Sequence, residues 1–328
     1  MLDLAVGARV GSYRIEGLLG AGGSSSVYRA THAVLDRPAA LKVMHAHLAD
    51  SVDARERMLR EARILESLHH PMIAEVYDVG VLADGRAWVA MELVDGETLT
   101  ELLARRGALP IAEAARILIG IARPLATAHA LGVIHRDIKP DNVLVAAAAG
   151  EVRVKLVDWG IARAPERVRL TADDASPGTP RYMSPEQAGG DPVDARADVY
   201  ALGVVAYELL AGQPPFTEGT ALELALQHLT ARPRPLRELR PDVPGDIAEL
   251  VHAMLAKAPM ERPALAVACG YLAAVCGGDD DAYASFEVTL DGGAGAEAAT
   301  ALISAPSRKA MLVSQIQVSK MMPPPSAP

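Results

Sequence analysis

The stretch HRDIKPDNVL, residues 135–144, gathers His135, Arg136, Asp137, Lys139 and Asn142 into a few positions. Asp137 follows a helix-like run ending LGVIH and so falls on a loop, where reactive groups are commonly presented. A carboxylate there can accept the proton of an incoming hydroxyl. Lys139, two residues on, can neutralise a phosphoryl group in flight. Asn142 offers a neutral carbonyl oxygen, a suitable hard ligand for magnesium. The β-like run VKLVDWG (154–160) then delivers a second acid, Asp158, before a glycine. Singly, each acid reads as a turn or helix cap. Together they point to phosphoryl transfer.

Two further charges fit that chemistry. Lysine occurs only six times, at 42, 139, 155, 257, 309 and 320, among 32 Lys plus Arg. Lys42 lies inside the apolar strand-like run PAALKVM, from where a compact ammonium can reach a phosphate oxygen. A snorkelling edge lysine is the plainer alternative. A half-buried ammonium needs a partner charge, and Glu61 is the candidate, at the edge of a stripe of Met58, Ala62, Leu65 and Leu68. Its neighbours Glu56, Arg57 and Arg60 read as a solvated face, which Glu61 could equally share. Ahead of both, LLGAGGSSSVY (18–28) sets Gly20, Gly22 and Gly23 between two strand-like runs. Backbone N–H groups free of side chains suit a polyphosphate. A flexible hairpin turn fits the stretch equally well.

The elements that must position these residues fall into two textures. YRIEGLLG (13–20), SVYRATHA (26–33), PAALKVM (38–44), EVYDVGVL (75–82) and RAWVAMELV (86–94) alternate as strands of an antiparallel sheet. One helix interrupts them at 51–70, capped by Ser51 or Asp53 and closed before Pro71. From residue 97 long helical stretches take over, notably 113–132 and 197–212. The chain thus divides into a small β-rich lobe, a connector at 92–97 and a larger helical lobe, with no internal repeat. Residues 278–328 are rich in Gly, Ala and Ser and end MMPPPSAP, a composition expected to stay disordered.

Composition narrows the function classes. Half of the 328 residues are hydrophobic, 22% are charged and the net charge is −9, which argues against a general nucleic-acid binder. No apolar run is long enough for a membrane span, and the N-terminus lacks the basic region of a signal peptide. Cys269 and Cys276, seven apart on one helix face, read as small buried side chains. A reducing cytoplasm fits these features.

Taken in order, Gly20/Gly22, Lys42, Glu61, HRDIKPDN, DWG and SPE closely resemble the signature set of eukaryotic-type (Hanks-type) serine/threonine protein kinases, in the phrasing of the bacterial branch. The resemblance implies an α+β, protein-kinase-like bilobal fold: a small antiparallel β lobe with one main helix (13–92), a hinge (93–98) and a mainly helical lobe (99–275). It implies ATP and Mg²⁺ as cofactors, with Mn²⁺ as an alternative, and serine or threonine hydroxyls of proteins as substrates. Leu19, Gly20, Ala21, Gly22, Gly23, Ser24, Ser25, Ser26 and Val27 would cover the phosphates, and Lys42 would hold them while paired to Glu61. Val27, Ala40 and Leu144 would sandwich the adenine. Glu92 to Val94 would offer connector backbone to its edge, with Met91 at the back. Asp137 would take the substrate proton, Lys139 steady the γ-phosphoryl, and Asn142 and Asp158 hold the metal. Glu186 would pair with Arg262, and Asp198 would steady the loop of Asp137. Arg136 would meet a phosphate on the activation segment, with Thr171 the favoured acceptor, Ser176 the second and Thr179 structural. Trans-autophosphorylation through self-association follows.

Three departures stand out: Ser25 for the third loop glycine, Ser184 for Ala in A-P-E, and Trp159 for Phe in D-F-G. None removes a needed charge, but a buried Trp159 indole N–H wants a partner. The rival readings are a pseudokinase scaffold, which usually lacks equivalents of Lys42, Asp137, Asn142 or Asp158, and a small-molecule phosphotransferase, which lacks GTPRYMSPE. Lys139 disfavours a tyrosine-specific enzyme.

Overall fold

The computed structural model describes residues 4–148, 151–159, 179–276, 285–290 and 299–304. The first lobe is a six-stranded antiparallel sheet in the order β1-β2-β3-β4-β6-β5. Its strands are β1 (Arg9–Val10), β2 (Tyr13–Ala21), β3 (Ser25–His32), β4 (Pro38–Met44), β5 (Val76–Val81) and β6 (Ala87–Glu92). Strand alternation buries Tyr13, Ile15, Tyr28, Ala30, Ala39, Leu41, Val43, Trp88 and Ala90 in one apolar cluster. β1 extends the lobe ahead of residue 13. Two residues of strand carry too little pattern to be seen in a sequence.

Helix α1 (Val52–Ser67) crosses between β4 and β5. Ser51 caps it, its hydroxyl accepting from the Ala54 N–H at 3.2 Å. Among its sixteen residues only Ala62 is buried. The connector is shorter than the expected 93–98, because β7 (Glu97–Thr98) already pairs with β8 (Val143–Ala148). β8 in turn pairs with β9 (Glu151–Leu156), a second, three-stranded antiparallel sheet. β9 stops two residues short of Asp158, leaving that acid in irregular backbone.

The second lobe is helical: α2 (Leu99–Arg106), α3 (Ile111–Ala130), α4 (Pro185–Gly189), α5 (Arg196–Ala211), α6 (Ala221–Thr230), α7 (Leu236–Leu239), α8 (Gly245–Met254) and α9 (Leu265–Val275). α5 is apolar on nearly every face, and thirteen of its sixteen residues are buried. It lies in a large cluster with side chains of α3, α8 and α9, which Leu68, Ile73 and Trp159 also join.

α3 ends at Ala130, before the expected LGVIH. Gly132 adopts φ +73°, its N–H donates to His129 O at 3.0 Å, and the Val133 N–H donates to Ala128 O at 2.9 Å. That pair of bonds is a Schellman stop, and it frees Val133 to Ile138 as a loop.

Within the stretch expected to stay disordered, β10 (Ser285–Leu290) and β11 (Ala299–Ser304) pair as an antiparallel ribbon. SFEVTL and ATALIS carry enough β-branched and aromatic residues for this, although the composition of the whole stretch is poor. The remaining positions from 277 onward lie outside the described residues.

Candidate active site

β4 carries Lys42 opposite Val27 on β3 and Val89 on β6. The ammonium sits 2.7 Å from Asp158 Oδ1. Burial opposes its charge, but Asp158 first and Glu61 second outweigh that cost and hold the Lys42 pKa above its ordinary value. Asp158 is held below the usual carboxylate range, chiefly by the charge of Lys42. Glu61 therefore acts on Lys42 as expected of a nearby acid, and Lys42 is also directly ion-paired to Asp158. Lys42, Glu61, Met58, Leu65, Met91 and Trp159 line one recess.

The loop 131–139 and the 3-10 turn Pro140–Asn142 bring the second set together. Lys139 Nζ lies 3.1 Å from Asp137 Oδ2. The buried Asn142 amide donates to Asp137 O at 2.8 Å, to Asp137 Oδ2 at 3.2 Å and to Asp158 O at 3.4 Å. One side chain thus links both acids. With its nitrogen spent this way, the Asn142 carbonyl oxygen is the end left to act as a ligand. Asn142 and Asp158 supply only hard oxygen donors, and among the described residues no group of three or more His, Cys, Asp or Glu forms a metal cage. That set suits a magnesium-like ion, which keeps several waters and shares its shell with phosphate oxygens.

Asp198, fully buried at the start of α5, organises the loop backbone. It accepts from the N–H of His135 at 2.9 Å, the N–H of Arg136 at 2.8 Å and His129 Nε2 at 2.7 Å. Burial alone would raise its pKa, but the bond from His129 and the nearby donors reverse this and keep it low. These bonds hold Arg136 at φ +65°, and Asp158 stands at φ +53°. Left-handed backbone at a long side chain costs energy that surrounding contacts must offset. Gln187 Nε2 adds a 2.9 Å bond to the Arg136 carbonyl.

Trp159 is buried and stacks on His135, ring centroids 4.6 Å apart. Asp137 N–H donates to His135 Nδ1 at 3.3 Å. Burial holds the His135 pKa below its ordinary value. Trp159 Nε1 and His135 Nε2 have no hydrogen-bond partner among the described residues.

The glycine stretch spans the end of β2, a turn at 22–24 and the start of β3. Gly22 N–H donates to Ser25 O at 2.8 Å. A Cβ at Gly20 or Gly23 would meet nothing within 4 Å, so the protein's own packing does not demand glycine at either position. Ser25 and Ser26 are buried, and Ser26 Oγ shares a 3.0 Å hydrogen bond with His45 Nε2. What this loop can offer a ligand is backbone, while Leu19 and Ser24 face solvent. Ala40 and Val27 sit on neighbouring strands; Met91 and Glu92 end β6, and Leu144 lies on β8.

Arg262 and Glu186 meet as a buried bidentate pair, both contacts 2.7 Å. The Arg262 guanidinium also bonds the carbonyls of Ala256, Arg196 and Lys257. Ser184, which stands for Ala in A-P-E, is the N-cap of α4 in a reciprocal capping box with Gln187. Thr171 and Ser176 lie outside the described residues, and Thr179 opens the 3-10 turn Thr179–Tyr182.

His129 and Gln187 escaped sequence reasoning. The signal for Gln187 was its place three residues after Ser184, and for His129 its place one turn before a glycine stop.

The arrangement can hold a hydroxyl against Asp137, neutralise phosphate charge with Lys42 and Lys139, and bind a hard cation between Asn142 and Asp158. A family model for the protein kinase domain matches residues 13–271. The serine/threonine-protein kinase PknL of Mycobacterium tuberculosis (strain ATCC 25618 / H37Rv) is 39% identical over 259 residues, covering 79% of this chain and 64% of that protein. The serine/threonine-protein kinase pkn3 of Myxococcus xanthus is 39% identical over 263 residues, covering 78% and 48%. The chain thus spans about half to two thirds of the length of these curated relatives. The crystal structure of the M. tuberculosis PknI kinase domain superposes with a TM-score of 0.65 at 32% identity, over 84% of this chain and 99% of that one.

Proposed function

This chain belongs to the protein kinase family, and from that premise we propose an ATP- and magnesium-dependent enzyme that transfers the γ-phosphoryl group to serine or threonine hydroxyls of proteins. The observation that carries the reading is the joint geometry of Lys42–Asp158 at 2.7 Å and Lys139–Asp137 at 3.1 Å, tied together by Asn142. In it Asp137 orients the substrate hydroxyl and accepts its proton, while Lys139 offsets charge on the group in transit. Lys42 and the backbone of residues 19–27 hold the phosphates, and Val27, Ala40, Met91, Leu144 and the backbone of Glu92 to Val94 receive the adenine. Asn142 and Asp158 are the metal ligands; a bound ion supplies neutralisation of phosphate charge. Glu61 holds Lys42 in place when it exchanges partners with Asp158.

The kinase domain is assigned to residues 13–275. Control is assigned to autophosphorylation between copies at Thr171, with Ser176 second, read through Arg136. A phosphate brings nearly two negative charges and several acceptor oxygens for arginine. Among the described residues no helix is long and apolar enough to cross a membrane; a cytoplasmic location is proposed on the low cysteine content, Cys269 and Cys276 being the only two in 328 residues.

The test is incubation with labelled ATP and Mg²⁺, wild type beside Asp137→Asn. The wild type should label itself and a generic Ser/Thr substrate, and the variant should fall about a hundredfold or more. Nucleotide binding without transfer by the wild type would make the chain a pseudokinase.

A further inference from the structure

Lysine is rare in this chain, and the roles above use only Lys42 and Lys139. Lys155, on β9, is engaged elsewhere. Its ammonium lies 2.5 Å from Glu92 Oε2 and 3.3 Å from the carbonyl of Ile73. Glu92 is the last residue of β6, where the chain passes from one lobe to the other, and its carboxylate also accepts from the Glu75 N–H at 3.3 Å. Glu92 and Glu75 are joined again through backbone, Glu92 N–H to Glu75 O at 2.8 Å. Ile73 belongs to the link that follows α1, and that link is bound to β9 by Leu156 N–H to Met72 O at 2.8 Å and Ala74 N–H to Leu156 O at 3.2 Å. Both partners of the ion pair are only about a quarter exposed (21% and 27%) and lie on the wall of a cleft behind the connector.

Three segments therefore converge on one cation, and each carries a different part of the active site. β9 leads within three residues to Asp158, the link leads back along α1 to Glu61, and Glu92 begins the connector whose backbone faces the adenine. We propose that Lys155 is a positioning residue: it fixes the connector to the second lobe and so sets how well the cleft receives ATP, without touching nucleotide or protein substrate. A compact ammonium fits this junction because it bonds a carboxylate and a carbonyl from a strand position. The inference rests on the kinase reading for its kinetic consequence, while its structural part stands apart from it.

The test uses the full chain. Lys155→Met should raise KM for ATP about fivefold while kcat changes less than about twofold, the pattern of lost ground-state positioning. It should also speed amide exchange at residues 73–76 and 91–94 about tenfold, with exchange in α5 unchanged. Lys155→Arg, which keeps the charge and donors, should recover most of both effects. Glu92→Gln should reproduce them, and combining it with Lys155→Met should add little, as for two halves of one interaction. If Lys155→Met does not fold, Glu92→Gln against wild type carries the same comparison. Wild-type exchange at 73–76 and 91–94 in both variants overturns the proposal, as does full additivity of the two. Because exchange is read without turnover, an inactive wild type would sink the kinase reading and leave this result to be judged by itself.

Discussion

α1 and α5 are both sixteen residues long, and each delivers one acid to the active site, Glu61 from α1 and Asp198 from α5. Their surroundings differ sharply. α5 buries thirteen residues and is enclosed by the large cluster of the second lobe, whereas α1 buries Ala62 alone. Apolar burial contributes about 1.5–3 kcal/mol for each large side chain removed from water, so α5 is fixed by its packing and α1 rests on few contacts. Asp198 correspondingly holds fixed backbone groups, the amides of His135 and Arg136. Glu61 faces an ammonium that is already paired to another residue. An acid that shapes a loop belongs on the immobile helix. The proposed exchange of partners by Glu61 would suit the loosely held one, since elements that move are drawn from the less stable parts of a fold.

The widest gap should appear when the two acids are removed. Asp198→Ala strands His129 and two buried amides, and should lower stability by about 3–5 kcal/mol as well as abolish transfer. Glu61→Gln should cost tenfold or more in transfer, on the order of one lost electrostatic contact, and leave the melting temperature nearly unchanged. Paired melting curves and transfer assays decide it, and equal losses of stability would break the contrast.

Acid should next expose the dependence of α5 on its neighbours. His228 is buried; its Nε2–H donates to the Arg181 carbonyl at 2.9 Å, so its Nδ1 accepts from the Tyr200 hydroxyl of α5 at 2.9 Å. Burial, helped by Lys257, pushes its pKa down to about 4. The unfolded chain protonates such a histidine near pH 6.5, so its contribution is complete above that pH and is lost as pH falls toward 4. The full loss is on the order of 3 kcal/mol. His228→Gln should flatten the melting temperature against pH between 6.5 and 4; an unchanged slope would assign the acid sensitivity elsewhere.

A smaller probe adds a single methyl. A Cβ at Gly203 of α5 would stand 2.8 Å from Met254 Cβ, so Gly203→Ala should cost about 1–3 kcal/mol by overpacking. Arg60→Ala on α1 should stay within about 0.5 kcal/mol. Urea midpoints for both would show whether the tight helix is as intolerant as its surroundings imply.

The slightest effect is expected at Trp159, which lines the recess beside α1. Its buried indole N–H has no partner among the described residues, and an unpaired donor of this kind costs about 1–3 kcal/mol. Trp159→Phe gives back most of that and loses some ring contact, for a net rise in melting temperature of about 2 °C. A fall of several degrees would mean that the larger ring is needed to fill the slot.

Alternation and turn residues made much of the first sheet readable: β2 buries every second residue over its first half, while β4 and β6, buried on both faces, show as short apolar runs bounded by polar residues. α5 could be read from its length and apolarity. Positions where tertiary bonds override local pattern could not: the early stop of α3 depends on Gly132 entering left-handed backbone, and β7 exists only because β8 lies beside it. At the site, residue types and spacing brought out Lys42, Asp137, Lys139, Asn142 and Asp158. Partnerships were harder to see. Nothing local distinguishes a Lys42 bonded to Asp158 from one bonded to Glu61, and the helix-end His129 gains its meaning from Asp198, 69 positions away.

The scarcity of lysine has a practical side. The described lysines, at 42, 139, 155 and 257, all point into the fold, while the outer surface carries its positive charge on guanidinium groups that do not acylate. Lys42, its pKa raised, keeps its proton and is a poor nucleophile. Lys257, bonded to the carbonyls of Gln227 and His228 beside the rings of Tyr200 and Phe216, is pushed down to about 8 by burial and the nearby Arg262 charge, and holds a usable fraction of free amine near neutral pH. An amine-directed reagent added in trace amount therefore leaves the exterior of these lobes unmarked. Within them, its mark at Lys257 works as a gauge of how often the base of α6 opens.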